Sequence, residues 1–191
     1  MSFIISDGSG RAYKAAVNSE NKLMVMGVVS TVEHYVNHDK EAAYQVLFEQ
    51  TVGVDDGCIF YMKNSDTNNN LVVEGINLYV SAACEVYIKI SNTGTRNNVT
   101  SLTPANLNAG STKVAEGTFE KGADLGGGSA SLSGGTEIYR YKFIAETQAT
   151  DFNFKQDIIL PINKTLTVWC DTANVNILCM IPFNYHNTDL S

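Results

Sequence analysis

From Tyr44 onward the chain is a series of short runs rich in β-branched and aromatic residues, each closed by Gly, Asn or Asp. This pattern confines it to an all-β fold, because no stretch keeps the 3.6-residue apolar period of an amphipathic helix. YQVLFEQTV alternates and is followed by the turn residues GVDDG; CIFYMKN is ended by NSDTNNN. LVVEGINLYVS loses strict alternation around Gly75, which predicts a bulge there. In CEVYIKI, Glu85, Tyr87 and Lys89 face one way and Val86, Ile88 and Ile90 the other. In TEIYRYKF the same reading sets Glu137, Tyr139 and Tyr141 against Ile138, Arg140 and Lys142. FKQDIILPIN, KTLTVWCDT and ANVNILCMIPFNYH complete about eight strands, a number and spacing that predict an antiparallel β-sandwich or jelly roll.

Two polar stretches interrupt the strands. Residues 92–112 read as a long loop, after which KVAEGTF adds a short strand. The Gly/Ser-rich EKGADLGGGSASLSGG reads as a flexible surface loop. It lacks the Gly-Lys-Ser/Thr of a phosphate loop, and no helix pattern follows it. Residues 1–42 have a different texture, with weak alternation over Thr31–Val36 and room for one helical turn over Asp39–Ala43. They read as an extended N-terminal arm with one or two short strands, leaving 43–191 as the sandwich domain.

The 191 residues carry a net charge of −7, and no basic cluster exceeds Arg140-Tyr-Lys142. Direct nucleic-acid binding is not expected of such a chain. No apolar run is long enough to cross a membrane as a helix, and Phe3-Ile-Ile is too short for a signal-peptide core, so synthesis in the cytoplasm is expected.

Candidate chemistry is sparse. Cys58, Cys84, Cys170 and Cys179 form no CxxC and each lies in an apolar run, which reads as four buried free thiols. His34 and His38 are four apart, but the stretch is not helical and no HExxH glutamate lies between them, so no metal site is expected. No GxSxG elbow gives a serine nucleophile. Asp55-Asp56 reads as a turn rather than a calcium loop, and the Asn98 and Asn163 sequons as polar loops. Trp169 in TLTVWC reads as packing. No catalytic residue, metal or cofactor is expected, and the chain does not read as an enzyme.

One stretch does carry a pattern. Asp7, Gly8, Gly10, Tyr13, Lys14, Ala15, Val17, Asn18, Asn21, Lys22 and Leu23 resemble the N-terminal DGtG-x-gY-xAkV-(D/N)-xx-N-(R/K)-L segment of tailed-bacteriophage virion structural proteins. In that class the segment precedes an all-β domain, and the runs from FYMKN to the final NILCMIPFNYH are similar in texture. The resemblance implies a component of the particle, of the capsid decoration (cement) type. It would sit as a trimer on the outer surface of the shell, in contact with the major capsid protein and with its own copies. The alternative is a head-fibre or tail-associated adhesin binding a host surface glycan. A ligand-binding or enzymatic β-sandwich is a third option.

On the decoration reading the arm supplies the interface. Arg11, Tyr13, Lys14 and Val17 can add a strand to a neighbour's sheet. Leu23, Met24, Val25 and Met26 can dock in an apolar groove of the same body or of a neighbour, or form a plain first strand of the chain's own sandwich.

Overall fold

The computed structural model describes residues 4–6, 12–14, 16–17, 23–24, 36–37, 40–127, 131–144 and 148–186. The chain divides into two units, Met1–Thr31 and Val32–Ser191.

The described residues of the first unit form four short strands, paired two by two. β1 (Ile4–Ser6) pairs antiparallel with β2 (Ala12–Lys14), placing Ile5 opposite Tyr13. β3 (Ala16–Val17) pairs with β4 (Leu23–Met24), placing Val17 opposite Leu23.

The second unit is a two-sheet antiparallel sandwich, and the described residues include no α-helix. Its long strands are β5 (Ala43–Thr51), β6 (Gly57–Asn64), β7 (Asn70–Val80) and β8 (Cys84–Thr93), then β12 (Ser133–Phe143), β13 (Gln148–Leu160), β14 (Thr165–Cys170) and β15 (Asn176–His186). Between β8 and β12 lie β9 (Thr100–Ser101), β10 (Ala105–Asn106) and β11 (Gly117–Lys121). Sheet one runs β10-β5-β15-β7-β13 and sheet two β12-β8-β14-β6-β11-β9. The first and last long strands lie side by side in sheet one, and among the long strands the chain crosses between sheets after β5, β6 and β7, and again after β12, β13 and β14. This is jelly-roll topology, two interlocked Greek keys. Ala43, expected in a helical turn, already begins β5, and the stretch 92–112 contributes β9 and β10 rather than staying wholly a loop.

Alternation builds the core. Tyr44, Val46 and Phe48 of β5 point inward, as do Ile177, Cys179, Ile181 and Phe183 of β15. Phe60, Met62, Ile88, Leu166 and Val168 meet them from sheet two. Phe48 and Phe60 stack across the sandwich with centroids 4.8 Å apart.

Bulges in β7 and β12 reset the alternation. In β7, Leu71 and Val73 face inward before Gly75, while Ile76, Leu78 and Val80 do so after it. The pairing with β15 slips at the same point, as Gly75 predicts. In β12 the register shifts between Glu137 and Tyr139. Glu137 therefore lies on the outer face with Arg140, which donates to it through Nε (2.8 Å) and Nη2 (2.7 Å). Tyr139 and Tyr141 turn toward Phe152 of β13, with centroids 4.9 and 5.0 Å away. The expected grouping of Glu137 with the two tyrosines is thus corrected by one bulged residue.

Candidate binding face

The two outer faces of the sandwich are built differently. Outside sheet two, Cys58, Tyr61, Tyr87 and Trp169 form a second apolar cluster, closed by Leu125 and Leu132 from the Gly/Ser-rich stretch. That stretch, expected to be a flexible surface loop, is a packed cover over residues 122–127 and 131–132. Leu125 N–H donates to Cys58 O (2.7 Å), Gly122 N–H to Ile59 O (3.2 Å), and Asn97 N–H to Leu125 O (3.0 Å). Gly126 lies over the indole, where an added Cβ would come within 3.3 Å of the Trp169 ring. Trp169 stacks on Tyr87 at 6.2 Å, and the Lys89 ammonium sits 4.5 Å from the indole centroid. The indole Nε1–H donates to Thr167 Oγ1 (2.7 Å), which donates to Asn92 Oδ1 (2.8 Å).

Charge completes this cover. Arg96 grips Glu120 in a fork, Nε to Oε2 at 2.7 Å and Nη2 to Oε1 at 3.1 Å, with its guanidinium 4.2 Å over Tyr61. Burial, and then the hydrogen bond to Asp56, push the Tyr87 phenol up, so it stays a neutral donor to Asp56 Oδ1 (3.0 Å). Asp55 accepts from Ala173 N–H at 2.9 Å. Both carboxylates of GVDDG are thus engaged in turn and strand contacts, as the turn reading has it.

Among the described residues nothing covers sheet one in this way. Register sets two rows across its outer face: Glu49, Leu178, Tyr79 and Ala149, then Leu47, Met180, Asn77 and Asp151. All of them but Glu49 line a groove of about 420 Å³. Leu47 is 58% exposed, Leu178 41% and Tyr79 38%. The exposed apolar residues here are contiguous across the sheet rather than scattered singly. Sequence reasoning missed this face. Its trace is that Leu47 occupies the outward parity of YQVLFEQ, where Gln45 and Glu49 are polar, and that ILCMIPF is apolar at both parities.

The arm residues singled out from the sequence fall in the first unit. Tyr13 and Lys14 lie in β2, Val17 in β3, and Leu23 and Met24 in β4. Arg11, Val25 and Met26 lie outside the described residues, as do His34 and His38. All four cysteines are buried free thiols. Burial pushes the Cys58 and Cys179 thiols well up, and the hydrogen bond with Cys170, then burial, does the same to Cys84. Among the described residues no group of three or more His, Cys, Asp or Glu is placed to hold a metal ion.

Comparison with known proteins adds no further constraint: no family model, no curated protein and no solved structure matches this chain.

Proposed function

We propose that the chain is a structural subunit of a tailed-bacteriophage particle, a decoration protein that stabilises the shell by bridging neighbouring subunits. On this reading it is made in the host cytoplasm, joins the outer capsid surface as a homotrimer, and contacts the major capsid protein. The observation that carries the reading is the uncovered apolar face of sheet one. Leu47, Tyr79, Leu178 and Met180 form a surface that a free protein gains by burying, at about 25 cal/mol per Å² of apolar area removed from water. The motif of residues 7–23 and the acidic jelly-roll body support it. A net negative outer body repels both DNA and other particles.

The adhesin reading fits the same fold less well. A glycan stacks on exposed aromatic rings, whereas Tyr87 and Trp169 are buried beneath the loop. Tyr79, the one ring among the described residues that line the groove, stands among Leu47, Leu178 and Met180.

The test is co-sedimentation with shells of the virus that encodes the chain. The full-length protein is expected to bind saturably, and the protein lacking residues 1–25 to stay in the supernatant. Binding of neither to shells, together with binding of the full-length protein to host cells, would replace this reading by the adhesin.

A further inference from the structure

The groove on sheet one has a definite shape and charge. It crosses β5, β15, β7 and β13, so its length is three interstrand spacings, about 14 Å at roughly 4.8 Å each. Among the described residues Asp151 is the only charged one lining it, and no Lys or Arg does. Glu49 lies beside Leu178 at the other end, but its carboxylate already accepts from Asn176 Nδ2. An occupant matched to this site is a short apolar segment led by one basic residue.

Three observations narrow the occupant. The long outer strands β12 and β13 both carry register breaks, at Glu137/Tyr139 and Asn153/Ile158. Bulged edges resist addition of a further strand, so a face contact is favoured over an edge contact. Two bodies meeting through this same face would bring their acidic residues together, and residues 32–191 hold ten basic and eighteen acidic residues, a net −8. Residues 1–31 hold three basic and two acidic residues, a net +1, and include Lys22-Leu23-Met24-Val25-Met26. Five extended residues span about 17 Å at roughly 3.4 Å each, enough to cross the groove.

We propose that the groove of sheet one receives residues 22–26 of a second copy of this chain, with Lys22 against Asp151 and the Leu-Met-Val-Met run over Leu47, Leu178 and Met180. The proposal rests on the reading of the arm as a bridge between subunits and names its receiving site. It links copies head to tail, a heterologous contact of the kind that forms a ring such as a trimer when the rotation between copies closes.

Cysteine crosslinking of full-length protein tests it. The four native cysteines are at most 5% exposed, so introduced thiols react selectively. Met24→Cys protein is mixed with a size-tagged Leu178→Cys protein and treated with a short bis-maleimide. A mixed covalent dimer is expected, at least fivefold above the yield with Val114→Cys, a position 73% exposed and outside the groove. Asp151→Lys in the Leu178→Cys chain is expected to cut that yield at least threefold. A yield no higher than with Val114→Cys would overturn the proposal. Shell co-sedimentation run in parallel separates the two readings. Shell binding without the mixed crosslink leaves decoration standing and removes the groove as the arm's receiver. The crosslink without shell binding keeps the receiver and removes decoration.

Discussion

The two outer faces of this jelly roll start from the same problem and reach opposite solutions. Both present apolar side chains on the side away from the core. Outside sheet two the chain covers them itself: Leu125 and Leu132 close over Cys58, Tyr61, Tyr87 and Trp169, and Arg96 and Glu120 fasten the neighbouring loop. Outside sheet one Leu47, Leu178 and Tyr79 remain in solvent. A face covered in cis adds to folding stability. A face left open adds nothing until a second molecule arrives, so on the proposed reading the two faces divide stability and assembly between them.

That division can be broken experimentally. The largest effect is expected from Trp169→Ala, which empties the covered face beneath Gly126 and removes the seat of Lys89. Loss of a buried Trp costs about 3–5 kcal/mol, read as a lower urea midpoint, while on the decoration reading the fraction that remains folded should bind shells as strongly as the wild type. Arg96→Ala follows. It leaves Glu120, 8% exposed, without its guanidinium fork, and an unsatisfied buried polar group costs about 1–3 kcal/mol. Equal urea midpoints for this variant and the wild type would mean that the fork does not fasten the cover.

The smallest effect belongs to the exposed pair on β12. The hydrogen bonds from Arg140 hold the Glu137 carboxyl below its ordinary range. A depressed carboxylate contributes stability above its unfolded pKa and loses it as pH falls through the folded one. Glu137→Gln should therefore lower the melting temperature slightly at neutral pH, with the gap to wild type closing in acid; a gap that widens in acid would reverse this sign.

Much of the sandwich was legible because its signals are local. Each strand run ends in turn residues, and Gly75 marks its own bulge. The bulge in β12 was not legible, because Ile138 is neither Gly nor flanked by turn residues and only pairing with Lys89 and Ile88 of β8 exposes it. The cover over sheet two has a sign in the strands beneath it. CIFYM and TLTVWC are apolar at both parities, as strands buried on both faces are, while the Gly/Ser composition of residues 121–135 conceals the two leucines that do the covering. The groove was the least legible feature. Leu47, Tyr79, Leu178 and Met180 are dispersed over three strands, and only register makes them neighbours.

The central claim is that the open face serves assembly and not stability, and Leu178→Asp tests it with two readouts on one protein. The urea midpoint should match wild type, since exposed substitutions stay within about 0.5 kcal/mol. Shell binding should weaken by about thirtyfold or more, the 2 kcal/mol expected at the centre of an interface. Unchanged shell binding, or a protein that no longer folds, would contradict it.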